Sequence, residues 1–356
     1  MRARVKLLMC LAVLVESMAA VCNVSAAPRR TLVESFVNSG SSASSESQRS
    51  LRGQLAARVA SEDVVVVDYH VAWPAADPLY EASATDIEGR RMLFGVDYVP
   101  TTRINGLQFR DAHQFSTYED FAQSVDGTIN GLKSVESHVE LRLTPALSGD
   151  LCVIDVEIAA DAGFEPKFAE AALSPRLFVA LLGDRGSGGN EFLGFLSGPG
   201  GDQIIIEAGE ESRRSLMFSK REVSLRTGGV PIVAIAAWVQ EPTGFVHNAR
   251  RVSLGRAEVE GRSGAMLALS SGLFRPQAGG VAISFGLDQP SQAELVIYDV
   301  VGRKVVELVS GQMTAGVHEV TWGGVMASGQ SAPAGLYLVR LQVGRQSRSQ
   351  KLLLLR

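Results

Sequence analysis

Thiol chemistry has almost no material in this sequence of 356 residues: of its three cysteines, Cys10 and Cys22 lie in the first 26 positions, so a chain processed there keeps Cys152 alone. A single thiol excludes an intramolecular disulfide, and in an oxidising compartment stability then rests on packed cores. Beyond residue 26 no apolar run reaches the roughly 20 residues of a membrane-crossing helix. No basic cluster is present, and a formal net charge of −4 argues against nucleic acid as a partner. Two glycine-rich stretches, 183–190 and 197–202, lack the Gly-Lys-Ser/Thr ending of a phosphate loop and read as hairpin turns.

What is present begins with an export signal. Arg2, Arg4 and Lys6 precede an apolar run over 7–15, and Val24-Ser25-Ala26 suits a cleavage site. The spacing predicts a signal peptide over 1–26 and a mature start at Ala27; Glu16 interrupts the apolar run too early for an anchor. Acylation of Cys22 is the alternative, but bulky Val21 stands where such processing takes a small residue. Loss of Arg2, Arg4, Lys6 and Glu16 moves the formal charge from −4 to −6. The length, with 46% hydrophobic residues, predicts two or three soluble domains located at the outer membrane, on the cell surface or outside the cell.

Changes of periodicity divide the remainder. Over 27–133 a short strand, 31–36, is followed by a Ser/Gly/Asn turn, a helix with Leu51, Leu55 and Val59 on one stripe, and a β-branched strand, 64–67. A helix around 82–94, a strand over 102–105 and a capping box at Ser116-Thr117-Tyr118-Glu119, opening a helix that buries Phe121, Val125, Ile129 and Leu132, complete an α/β unit. Over 134–255 the period falls to two, with Val139, Leu141 and Leu143, then Cys152, Ile154, Val156 and Ile158; further strands at 176–182, 204–208, 216–218 and 231–240 predict a β-sandwich. Residues 256–280 show no sustained period and read as a linker. Residues 281–356 carry six more strands and predict a small all-β domain.

The first unit resembles the thioredoxin-like outer-membrane lipoprotein family of Bacteroidota and related phyla, in which VLVEEFT-x-x-x-C-x-x-C precedes a helix and GVxxVPTxxING follows. Leu32-Val33-Glu34-Ser35-Phe36, Ser41-Ser42-Ala43-Ser44, Val99-Pro100-Thr101 and Ile104-Asn105-Gly106 carry the likeness over about 29–133. The resemblance implies a cis peptide before Pro100, facing the redox positions. Both of those positions are serine here, Ser41 and Ser44, and a hydroxyl supplies neither an attacking nor a resolving thiolate. The strand Ala237-Trp238-Val239-Gln240, with His247-Asn248-Ala249, is similar to the second domain of that family.

The last domain resembles the Ig-like sorting domain of type IX secretion cargo and the Ig-like module of flagellar hook-capping proteins. The likeness rests on Leu295-Val296-Ile297-Tyr298-Asp299, Gly302-Arg303-Lys304-Val305, Ala334-Gly335-Leu336-Tyr337-Leu338 and the basic-apolar end over 351–356. The usual Asn-Pro-Phe opening is replaced by Phe274-Arg275-Pro276-Gln277, and the usual Trp-Asp-Gly by Trp322-Gly323-Gly324. The resemblance implies an export apparatus as partner.

Other candidates for chemistry read as structural. Ser41 and Ser44 have no Gly-x-Ser-x-Gly elbow around them and suit turn and N-cap positions. Asp68, His70 and Asp77 are raw material for a metal or acid-base site, but no third ligand stands at fixed spacing. Cys152 lies in the apolar phase of its strand, as a buried small hydrophobe does. The expectation is a non-enzymatic exported protein with no catalytic residue, cofactor or metal, binding an unknown protein or glycan. A thioredoxin-type thiol-disulfide oxidoreductase is the alternative, and the missing cysteines count against it.

Overall fold

In a computed structural model the chain is described over 27–165, 174–186, 188–204, 206–254, 265–270, 273–274 and 280–355. The expected signal segment, with Cys10 and Cys22, lies outside these residues. Strand β1 (Thr31–Val37) and strand β2 (Val64–His70) are buried at every position. They pair in parallel, Thr31 opposite Val64 through Val37 opposite His70, across helix α1 (Ser42–Ala60). Continuous apolar runs form such strands because both faces are covered. Helix α2 (Pro78–Phe94), capped by Asp77, leads to β3 (Thr101–Ile104), antiparallel to β1, and to β4 (Leu107–Gln108). Helix α3 (Tyr118–Leu132) packs beside α1: Phe121, Val125 and Ile129 meet Leu51, Leu55, Val33, Val64 and Val66 in one core. Its N-cap is Thr117, whose hydroxyl accepts from Asp120 N at 3.1 Å; Ser116, the expected first member of the capping box, is one residue too early.

The middle region is a β-sandwich. One sheet is β5 (Val139–Ser148), β6 (Leu151–Ala160) and β10 (Glu211–Ser219), in the order β10-β6-β5. The other contains β7 (Arg176–Gly183), β8 (Glu191–Phe195), the short β9 (Asp202–Gln203), β11 (Ile232–Gln240) and β12 (Val246–Ser253). This second sheet does not stop at the sandwich. β8 joins β2 through the parallel pair Asp68 and Glu191, giving one nine-stranded sheet in which eight strands run β12-β11-β7-β8-β2-β1-β3-β4 and the ninth, β9, pairs with β7. Side chains of β7 and β11 alternate across it. Leu177, Val179, Leu181, Ile235, Ala237 and Val239 face the sandwich core. Phe178, Ala180, Leu182, Ala234, Ala236 and Trp238 enter a second core with Leu32, Phe36, Val67, Tyr69 and Ile87. A short helix α4 (Lys220–Arg226) follows β10. Residues 204–208, expected as a strand, do not form one among the described positions; Ile204 and Ile206 plug the sandwich core ahead of a turn at Gly209.

The expected linker over 256–280 is corrected in part. β13 (Met266–Leu269) pairs with β15 (Val281–Leu287), and β14 (Leu273–Phe274) pairs with β20 (Gln346–Leu354), so both belong to the last domain. Gly, Ser and short apolar patches hid their alternation. With β16 (Ser291–Asp299), β17 (Lys304–Met313), β18 (Gly316–Trp322) and β19 (Gly335–Val343) they form sheets β13-β15-β18 and β14-β20-β19-β16-β17. Between these sheets lies a separate core containing Ile283, Phe285, Leu295, Ile297, Trp322, Val339 and Leu341. The three-stranded sheet meets the sandwich through β10. The chain is mostly β, in several sheets.

Candidate functional site

The start of α1, where the two serines sit, is built from the polar end of β1. Asn38 is 1% exposed, and its side chain organises the turn: Nδ2 donates to the carbonyls of Val71 (2.8 Å) and Ala75 (2.7 Å), while Oδ1 accepts from Gly40 N (2.8 Å). Ser41 is the N-cap, its Oγ accepting from Ser44 N at 3.2 Å, which satisfies one of the helix donors left without an intrahelical partner. Ser44 is fully buried, and its Oγ accepts from Asn38 N at 3.3 Å. Both hydroxyls are committed to holding the backbone, and solvent does not reach Ser44. The Val99–Pro100 peptide is cis.

His70 and Asp77 lie behind this turn. His70 Nδ1 is 2.8 Å from Asp77 Oδ2, and the same oxygen accepts from Ser39 N at 2.9 Å. Asp77 Oδ1 accepts from Leu79 N at 3.0 Å, capping α2. Burial works to raise the Asp77 carboxyl, but the His70 hydrogen bond and charge, with the Ser39 N–H, outweigh it and hold the group well below the usual carboxylate range. Asp68 turns to another partner, accepting from Arg52 Nη2 at 2.9 Å, with Glu191 3.6 Å from the same nitrogen. Burial pushes Glu191 up first, with a smaller push from Asp68. The structure therefore separates Asp68 from the His70–Asp77 pair. Among the described residues, no group of three His, Cys, Asp or Glu is placed to hold a metal.

Cys152 is completely buried in β6, and burial pushes its thiol up to about 12. A thiol so placed stays protonated and unreactive at neutral pH.

Sequence reasoning missed a buried polar cluster at the seam of the nine-stranded sheet. Arg90 of α2 donates to Glu34 Oε1 of β1 and, at 2.6 Å, to Gln240 Oε1 of β11; Tyr69 Oη donates to the same Glu34 oxygen at 3.0 Å. The guanidinium carbon lies 4.8 Å from the ring centres of Phe94 and Phe178 and 5.3 Å from that of Trp238. Burial opposes the Arg90 charge, but Glu34 and Tyr69 outweigh it and hold its pKa above the ordinary value; burial and Glu34 push the Tyr69 phenol well up. The available signal was Glu34 itself, a carboxylate in the middle of a strand that reads as buried.

Comparison with known proteins places part of this architecture. Residues 273–347 match the FlgD Ig-like domain family, which identifies the C-terminal domain as Ig-like. The fold of HBP35 of Porphyromonas gingivalis is similar over 92% of this chain and 98% of that one, with a TM-score of 0.51 and 13% identity. FlgD from P. aeruginosa is 28% identical over 20% of this chain and 59% of its own, with a TM-score of 0.18. PorZ, a surface component of the type IX secretion system of P. gingivalis, aligns over 61% of this chain and 39% of its own at 12% identity and a TM-score of 0.21. The last two scores are too low to carry an argument about fold. No curated protein matches the sequence.

Proposed function

We propose that the chain is an exported, non-enzymatic cell-envelope or surface protein. In this reading residues 27–133 are a thioredoxin-like unit that has lost its chemistry, the fused sandwich extends it into a rigid binding body for a protein or glycan, and the C-terminal domain serves secretion or surface attachment. The observation that carries the non-enzymatic part is the commitment of Ser41 and Ser44 to the α1 cap, with Ser44 buried. A nucleophile needs a positioned base and access to substrate, and neither hydroxyl has both. The thioredoxin-like reading is supported by β1-α1-β2 in parallel, β3 antiparallel to β1, and α1 and α3 packed together on one face. Attachment to an export route rests on the FlgD Ig-like match and on the signal-like start of the sequence.

Fractionation of cells expressing the full chain or a truncation after Leu254 tests the localisation role. The cut falls there because β13 already belongs to the last domain. The truncated protein is expected to remain in the periplasm while the full chain reaches the surface or medium; equal arrival of both overturns the sorting role. Reduction of insulin disulfides by the purified mature protein would overturn the non-enzymatic reading.

A further inference from the structure

One corner of the C-terminal domain carries exposed aliphatic side chains beside two cations that make no ion pair among the described residues. Val300 and Val301, at the turn between β16 and β17, are 73% and 71% exposed, and Leu336 and Leu338 of β19 are 42% and 37% exposed. Val300, Leu336 and Leu338 form one surface, lining a single shallow cleft of about 420 Å³ together with Asp299, Arg340 and Lys351. The strand register explains the continuity, since Leu338 stands opposite Tyr298 of β16 on one side and Lys351 of β20 on the other. The domain's other sheet faces β10, so this corner stays uncovered.

The charges here do not cancel. Asp299 is neutralised by Arg303 Nε at 2.7 Å, and Lys304 pairs with Glu307. Arg340 donates to Ser347 Oγ and Gln342 Oε1, both at 3.0 Å and both neutral. Among the described residues neither Arg340 nor Lys351 has a carboxylate within ion-pair distance. Two projecting valines at a turn tip, two leucines behind them and the cations Arg340 and Lys351 complement a surface that is apolar beneath and negatively charged at its face. Interfacial protein segments combine these two features, apolar insertion with attraction to anionic headgroups.

We infer that this corner docks on an anionic lipid surface, with Val300 and Val301 entering the headgroup layer and Arg340 and Lys351 meeting lipid phosphates. The inference deepens the attachment role proposed above and rests on it for biological access to lipid. The export role stands or falls separately, in the fractionation experiment.

The test is co-sedimentation of the full mature chain with vesicles of phosphatidylcholine alone or with phosphatidylglycerol added. Binding is expected to need phosphatidylglycerol and to weaken with salt. Val300→Asp with Leu338→Asp is expected to lower binding roughly tenfold or more at an unchanged melting temperature, because both side chains are solvent-exposed. Arg340→Gln with Lys351→Gln should lower binding and flatten its salt dependence. No binding to either vesicle, or equal binding by the aspartate variant, overturns the inference. So does conversion of a dimer to a monomer by that variant without any vesicle binding, which would make the corner an interface between copies.

Discussion

Arg90 and Glu34 form an ion pair that water does not reach: their side chains are 1% and 0% exposed. Glu34 is on β1, Arg90 on α2, and the second acceptor, Gln240, on β11, so the cluster ties the α/β unit to the sandwich. Removing one partner leaves a buried charge uncompensated, at a cost of about 3–5 kcal/mol, whereas replacing both by apolar groups is far milder. Arg90→Met and Glu34→Gln should each be strongly destabilising, and Glu34→Leu with Arg90→Met should recover much of the loss. Because the seam is shared, the far-UV signal and tryptophan fluorescence of the chain truncated after Leu254, which lacks the separate core around Trp322, should unfold together in every variant. Two separated transitions would show that the two regions are independent folding units.

Gly106 and Gly244 lock the same seam beside this cluster, where the Gly244 carbonyl accepts from Gln240 Nε2 at 2.6 Å. Gly106 has φ +78°, and a Cβ there would lie 1.7 Å from the Gly244 carbonyl oxygen. Asn105 reinforces the contact, accepting from Leu32 N through its side chain at 2.8 Å and from Val246 N through its carbonyl at 3.1 Å. Gly106→Ala should destabilise by about 3 kcal/mol or more. Gly302→Ala, at φ +81° with nothing within 4 Å, should cost only about 1 kcal/mol. Similar losses at the two positions in urea titrations would count against the close approach.

Much of this was legible in sequence, and the failures share a cause. The strands over 64–67 and 231–240 carry long apolar runs, and the stripes of α1 and α3 repeat at three and four residues, so local pattern suffices for them. β8 was not read as a strand because Glu191-Phe192-Leu193-Gly194-Phe195 is short and flanked by glycines; only tertiary pairing, with β7 on one side and the Asp68 bridge on the other, makes it one. That bridge is also why the sheet crosses from the first region into the second. No local periodicity records which strand lies beside which. Ser41 read correctly as an N-cap from residue type, but the burial of Ser44 depends on Asn38, Val71 and Ala75 closing the turn around it.

Ser41 and Ser44 stand three residues apart at the helix start, with Ser44 N bonded to Ser41 Oγ, a spacing that disulfide geometry accommodates. Ser41→Cys with Ser44→Cys should oxidise to an intramolecular disulfide in the folded protein, detected by mass spectrometry and loss of two free thiols. Thiols that resist oxidation would argue against the thioredoxin-like alignment of this turn. The single change Ser41→Ala should cost about 1 kcal/mol through loss of the cap.

Cys152, buried and with its thiol pushed up to about 12, should not react with Ellman's reagent in the native mature chain at pH 8. In denaturant one equivalent should react at once. Prompt native labelling would place the thiol at a surface and contradict the β6 register, in which Cys152 stands opposite Leu147 and Phe218.

Asp202 offers a pH test where the sandwich meets the last domain. Burial is the first cause that raises its carboxyl, Glu319 of β18 adds to it, and Arg214 and Arg176 act in the opposite sense; the balance pushes the group up to about 6. An unfolded aspartate titrates near ~3.9. Between those values the folded chain holds a proton that the unfolded chain has released, so the stabilising contribution is full below about pH 4 and is lost as the pH rises through about 6. Asp202→Asn removes the titration and leaves a neutral side chain of the same shape. The variant should melt higher than the native protein at pH 8, by a margin on the order of 1–2 kcal/mol after allowance for screening at this half-buried site, and the margin should shrink at pH 5. Other groups change the absolute melting temperature between those pH values, but they cancel in the difference between the two proteins. An equal margin at both pH values would mean that Asp202 titrates normally and that Glu319 does not press on it in solution.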